Sequence, residues 1–230
     1  MTKNPQDDEA FFGPDSLFRR KLHKLRAEWH DPGKGKGNRA QEQLTGYAYI
    51  TNAENSMKNK DTTEMERLAL LDSVTELYNQ QAIIKVLISE VRRAKRYKRP
   101  VAVIMVECDQ FDEVASGNEI SRDTFLKSFS ELVLKAVRDV DVPSRYSNTQ
   151  FLVICPETNS QGAKIIADRM LRTVSAEALV GVDRNWRITV SVGYASFPKH
   201  GTSAQDVITK AEMALQRAKT SGGNRCDAPF

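Results

Sequence analysis

The stretch Val142-Pro143-Ser144-Arg145-Tyr146-Ser147-Asn148-Thr149-Gln150-Phe151-Leu152-Val153-Ile154-Cys155-Pro156 decides how this chain folds. A short run over 142–146 and an apolar run over 151–155 flank a polar turn at Ser147-Asn148. Two such runs joined by a tight polar turn predict a β-hairpin. Upstream, Val101-Ala102-Val103-Ile104-Met105-Val106 reads as a buried strand. Between it and the hairpin, Phe125, Phe129, Leu132 and Val133 recur at spacings of three and four, which predicts a helix over 121–138. Downstream, the patterns predict a helix over 160–174, a strand from Trp186 to Phe197 and a last helix over 203–220, closed by Gly222-Gly223.

A helix over 79–98 precedes the first strand, with Ile83, Val86, Leu87 and Val91 inward. Its basic end, Arg92 to Lys98, suits a helix C-terminus, and Pro100 stops it. The order helix, β, α, β, β, α, β, α predicts an α+β fold. Its centre is the β-α-β-β-α-β arrangement of the ferredoxin-like class, extended by a helix at each end.

With 230 residues, the chain suits one domain plus an extension. Residues 1–60 differ from the rest. Pro5, Pro14 and the run Pro32 to Arg39 predict flexible segments around one helix bearing Phe18, Leu22, Leu25 and Trp29. Its other face carries Arg19, Arg20, Lys21, Lys24 and Arg26. That pattern fits a docking helix for a partner or an anionic surface, and equally a short helix packed on its own domain or a disordered tail. Residues 61–230 form the regular domain, led in by a helix from Thr62 to Leu71.

Composition excludes several classes. A net charge of +4 is too mild to demand nucleic acid as a partner. Cys108, Cys155 and Cys226 form no C-x-x-C pair, and their odd number argues against a disulfide framework, so Cys108 and Cys155 read as reduced core residues. No run approaches the roughly 18 apolar residues of a membrane span, and Met1 to Ala10 lacks a signal-peptide core, which together predict a cytoplasmic protein. His23, His30 and His200 are scattered and form no metal-ligand cluster. Ser191 and Ser196 have no paired histidine, and Trp29 with Trp186 makes no stacking platform.

Over about residues 68–226 the chain resembles the GGDEF (diguanylate cyclase) family. Asp72-Ser73-Val74-Thr75-Glu76-Leu77-Tyr78-Asn79 is close to its opening D-x-L-T-G-L-x-N. Glu107-Cys108-Asp109-Gln110-Phe111 is similar to D-h-D-x-F, and Thr189 to Ala195 to T-h-S-h-G-h-A. Ala211 to Lys219 with Asn224-Arg225 is similar to the closing A-D-x-A-L-Y-x-A-K…G-x-N. The order and spacing of these strings carry the resemblance.

The resemblance implies a site for joining two GTP molecules, and this chain departs from it. That chemistry needs a divalent metal held by hard oxygen ligands and a glycine turn that approaches the nucleotide closely. The signature positions read Ser147-Asn148-Thr149-Gln150-Phe151: both glycines carry side chains, and both carboxylates are a hydroxyl and an amide. Neutral groups do not replace two anions opposite a dication and a triphosphate. Asp112 reverses the charge of the family's lysine, Ala115 and Ser116 stand for its asparagine and aspartate, and Glu119 to Thr124 retains only Asp123 of G-H-x-x-G-D. Lys219, a phosphate contact in the family, remains. The expectation is no catalytic residues, no required cofactor and no magnesium, with Glu107 and Asp109 as weak metal candidates.

A second family feature is kept. The resemblance places an inhibitory R-x-x-D site for cyclic-di-GMP at Arg138 and Asp141, joined by Arg169 from the helix after the hairpin. Arginine forks match guanine O6 and N7 or phosphates, and a carboxylate accepts from the guanine N1–H and N2–H edge. Both residues are expected near the solvent edge, Arg138 at a helix end. A surface ion pair near a helix C-terminus would give the same spacing.

Three functions follow: a cyclic-di-GMP effector acting on a protein partner, a ligand-independent scaffold or localisation module, and residual cyclase activity through Glu107 and Asp109. Sites of this kind in the family often bridge two domains through an intercalated ligand dimer.

Overall fold

The computed structural model describes residues 70–113, 122–177 and 188–229. The expected N-terminal helix around Phe18 to Trp29, residues 62–69 of the lead-in helix, Ala115, Ser116, Glu119 to Ser121 and Trp186 lie outside them. The compact unit that contains all the elements below runs from Leu70 to Phe230.

The elements are α1 (Gln80–Tyr97), β1 (Val101–Cys108), α2 (Arg122–Lys135), β2 (Val142–Arg145), β3 (Gln150–Pro156), α3 (Ser160–Ala176), β4 (Val190–Phe197), α4 (Ala204–Thr220) and β5 (Cys226–Asp227). One sheet orders them β2-β3-β1-β4-β5, antiparallel except for the parallel β4–β5 pair. The predicted ferredoxin-like centre is therefore present, with β5 added at the edge.

Local chemistry sets the boundaries. Asn79 caps α1 by accepting from Ala82 N–H at 2.9 Å, and Asn159 caps α3 through Gly162 N–H at 2.9 Å. Ser203 and Asp206 form a reciprocal capping box on α4. Lys98, at φ 53°, ends α1 two residues before Pro100. The opening motif folds as a turn around Asp72, whose Oδ1 accepts from Thr75 N–H at 2.8 Å and Thr75 Oγ1 at 2.9 Å. Leu71 pairs with Tyr78 across this turn instead of closing a helix. Arg145 ties the turn to β2 through an ion pair with Asp72 at 3.1 Å.

Strand alternation divides the interior into two layers. Ala102, Ile104, Val106 and Cys108 of β1 and Phe151, Val153 and Cys155 of β3 face α2 and α3 in one apolar cluster. Within it Phe129 meets Phe125 on one side and Phe151 on the other, with the Phe129–Phe151 centroids 5.2 Å apart. Phe151, the last signature position, is fully buried and belongs to the core. The alternate residues, Glu107, Gln150 and Gly193 among them, point to the layer of α1 and α4.

Candidate functional site

Two clusters of polar groups lie at the places the sequence singles out. The first surrounds Glu107, at the end of β1. Register sets Glu107 opposite Gln150 on β3 and Ser191 on β4. Its Oε1 accepts from Thr149 Oγ1 at 3.0 Å and pairs with Lys219 Nζ at 2.9 Å, while Oε2 accepts from Gln150 Nε2 at 3.1 Å. Thr149 and Gln150 occupy the signature's acidic positions, so groups that would accept now donate.

Asp109, two residues on, is engaged as fully. It accepts from Thr189 Oγ1 at 2.7 Å, from Ser191 Oγ and from Asn224 N–H at 2.9 Å. Gly223, at φ 70°, turns the chain so that Asn224 reaches it. The two carboxylates join strands and the loop after α4, and the groups around Glu107 are an ammonium, a hydroxyl and an amide that donate to it, which suits a divalent metal poorly, since such a metal needs oxygen acceptors facing it. Among the described residues, no group of three or more His, Cys, Asp and Glu side chains is placed to hold a metal ion.

Other signature and family positions are peripheral. Ser147 and Asn148 are exposed; Ser147 Oγ accepts from Gln150 N–H at 3.2 Å, and Asn148 O from Arg145 Nη2 at 3.2 Å. Asp123 is exposed in the first turn of α2, and Asp112 lies 3.8 Å from Arg122.

The second cluster holds the R-x-x-D residues. α2 stops at Lys135, so Arg138 lies in the following loop and not at the helix end. Arg138 is exposed, but Asp141 is only 3% exposed, which corrects the expectation that both sit at the solvent edge. The reason is local: Asp141 Oδ2 turns inward to accept Arg138 N–H at 2.7 Å and closes the loop. Burial holds the Asp141 carboxyl above the usual carboxylate range, against that hydrogen bond and the nearby Arg138 and Arg169.

Arg169, on α3, donates from Nε to Ala136 O at 2.6 Å, at the end of α2. Among the described residues, the buried side-chain atoms without a hydrogen-bond partner are Asp141 Oδ1 and Arg169 Nη2. The Cys155 thiol, a weak donor, hydrogen-bonds the Asp141 carboxylate, and Oδ1 is left without a stronger N–H or O–H donor. Val140, 56% exposed, and Ile165, 63% exposed and one turn before Arg169, give the cluster apolar shoulders. Arg138, Asp141 and Arg169 are thus brought together from the loop after α2 and from α3.

Two further contacts away from these clusters were not legible in the sequence. His200 lies beside Ser196, contrary to the expectation of an unpaired serine. Its Nδ1 accepts the Ser196 N–H at 2.9 Å and lies 3.5 Å from Ser196 Oγ, and Ser196 is buried, so the contact ties the turn after β4. Arg217 forks onto Asp227 at 2.6 and 2.8 Å and holds β5. Cys108 and Cys155 are free and buried as expected; Cys226 is half-buried, its thiol pushed up to about 11 by burial and by Asp168.

Comparison with known proteins places this arrangement. The chain is 30% identical over 161 residues to the response regulator PleD of Caulobacter vibrioides, covering 68% of this chain and 35% of PleD. It is 27% identical over 162 residues to the cyclic di-GMP phosphodiesterase NbdA of Pseudomonas aeruginosa, covering 70% of this chain and 20% of NbdA. It spans much less than two thirds of either relative. The GGDEF domain of DgcB from Caulobacter crescentus, solved in complex with c-di-GMP, superposes with a TM-score of 0.63 at 23% identity, over 70% of this chain and 95% of that one. Diguanylate cyclase SiaD of Pseudomonas aeruginosa, solved with its activator SiaC, superposes at 0.65 with 23% identity, over 91% of this chain and 78% of that one. No helix among the described residues is long and apolar enough to cross a membrane. The profile described as "Diguanylate cyclase, GGDEF domain" matches residues 69–225, from the opening turn through the loop after α4, and the chain belongs to that family.

Proposed function

We propose that the domain is a catalytically inactive receptor for cyclic-di-GMP, which it binds through Arg138, Asp141 and Arg169 and reports to a protein partner. The observation that carries this reading is the convergence of Arg138 and Arg169 on the Asp141 carboxyl, where buried Asp141 Oδ1 and Arg169 Nη2 lack a nitrogen or oxygen partner. Such atoms are rare in folded proteins, and an acceptor and a donor left open together invite a ligand that supplies the complement. A guanine does so: its N1–H and N2–H edge meets the carboxylate, and its O6 and N7 meet a guanidinium. The exposed Arg138 can stack on the base or meet a phosphate. The c-di-GMP bound by the DgcB domain supports the ligand class, and the SiaC bound by SiaD supports a protein partner. Loss of the acidic signature positions and the engagement of Glu107 by Thr149, Gln150 and Lys219 support the absence of cyclase chemistry.

Titration calorimetry with cyclic-di-GMP tests the receptor. Binding by the wild type should weaken about 10–100-fold in Arg138→Ala, the range of one bidentate arginine contact. No heat from the wild type, or an unchanged affinity in the variant, sinks the reading. In parallel, GTP with magnesium or manganese should yield neither cyclic-di-GMP nor pppGpG.

One observation favours a second reading, a ligand-independent scaffold. Asp141 is buried and already caps its own loop through Arg138 N–H. Partners captured equally with and without cyclic-di-GMP, together with silent calorimetry, would select it.

A further inference from the structure

The cluster at the end of β1 points to a role that does not depend on the cyclic-di-GMP site. We propose that the Lys219 ammonium serves as a built-in cation: with Thr149 and Gln150 it latches the last turn of α4 to β1 and to the β2–β3 turn, and makes the domain's stability indifferent to magnesium and manganese.

Three elements meet on one carboxylate. Glu107 comes from β1, Thr149 and Gln150 from the turn and first residue of β3, and Lys219 from α4. The Glu107 side chain is 11% exposed and that of Lys219 32%. A carboxylate so enclosed is costly unless its oxygens are satisfied, and here a hydroxyl, an amide and an ammonium satisfy them.

The polarity of the ring decides the occupant. Thr149 and Gln150 turn N–H and O–H groups towards Glu107, and the positive ends of these dipoles oppose a second cation. The ammonium already sits 2.9 Å from Oε1. A dication would have to displace Lys219, and among the described residues no group of three or more ligating side chains is placed to receive it. Asp109 supports the same junction by holding Asn224 N–H, so the end of α4 and the loop beyond it are both fastened to the end of β1.

Thermal unfolding of the full chain, read by circular dichroism in magnesium, manganese or EDTA, tests the proposal. The wild-type Tm should be the same in all three; a rise with either metal shows Glu107 acting as a metal ligand and overturns it. Lys219→Met keeps the stem and removes the charge, and should lower the Tm by about 3–10 °C, the loss of one charge-assisted contact in a domain of this size. Lys219→Arg should keep most of the Tm, and a fall as large as that of Lys219→Met overturns the proposal. In a double-mutant cycle, Glu107→Gln and Lys219→Met should be coupled, and strictly additive losses would show that no latch exists.

Discussion

Gly193→Ala is expected to remove most of the domain's stability. Gly193 lies mid-strand in β4, opposite Met105 of β1 and Asp227 of β5, on the face covered by α4. A Cβ added there would lie 2.2 Å from Ala211 O and Leu215 N and 2.7 Å from Leu215 Cα. Carbon contacts are comfortable at about 3.5–4.0 Å, so the helix would have to lift by an ångström or more. Overpacking usually costs about 1–3 kcal/mol because side chains give way. Here the groups that would have to move are backbone, fixed by the helix and the ladder, so the loss should be about 3 kcal/mol or more. Set against a typical stability of roughly 5–15 kcal/mol, that endangers the fold. Denaturant unfolding checks it, with Gly222→Ala as the control. Gly222, unlike Gly193, has a left-handed φ, 104°, but open space around it, so only backbone strain of about 1–2 kcal/mol should appear. A Gly193→Ala variant no less stable than that control would contradict the close approach of α4.

What could be read beforehand follows the range of the forces involved. The strands Val101–Cys108 and Gln150–Pro156 and helices α1, α3 and α4 announce themselves through local apolar pattern, and their limits fall within two residues of expectation. α2 ends three residues early, at Lys135, for a reason outside its own period. Ala136 N–H is shared between Leu132 O, four back, and Val133 O, three back, Val137 N–H bonds Leu134 O, three back, and Asp141 then takes the Arg138 N–H for its loop. β5 has two residues and no period at all; Arg217 and the Val192–Cys226 pairing hold it. The motif glycine at 193 was visible as a letter, but its cause is α4 passing over it. At the sites, the family resemblance pointed to Arg138, Asp141 and Arg169, whereas the burial of Asp141 was not legible. Nor were the partners of Glu107 and Asp109, which lie 42 to 115 positions away in the chain.

Asp141→Asn separates the two possible roles of that residue, since they demand opposite outcomes. The amide oxygen can still accept Arg138 N–H, so the loop closure survives the change. The charge does not, and its removal should help the fold. Burial raises the Asp141 carboxyl above its ordinary range, ahead of the lowering contributions of Arg138 N–H and the two guanidiniums. An acid whose folded pKa is raised contributes stability that is complete below its unfolded value and is lost as pH rises through the folded one. At neutral pH the ionised carboxylate is therefore a net cost, and Asp141→Asn should be as stable as the wild type or more so. That advantage should vanish as pH falls below the ordinary aspartate value of about 3.9. Ligand binding should move the other way. A carboxylate offers both guanine N–H groups an anionic acceptor, while an amide offers one neutral oxygen and sets its own N–H₂ against a donor. With charge-assisted bonds worth about 1.5–3 kcal/mol each, affinity for cyclic-di-GMP should fall by about 100-fold or more. It should also weaken in the wild type as acid protonates the carboxylate. A variant that melts lower yet binds as before would mean that Asp141 serves only to close its loop.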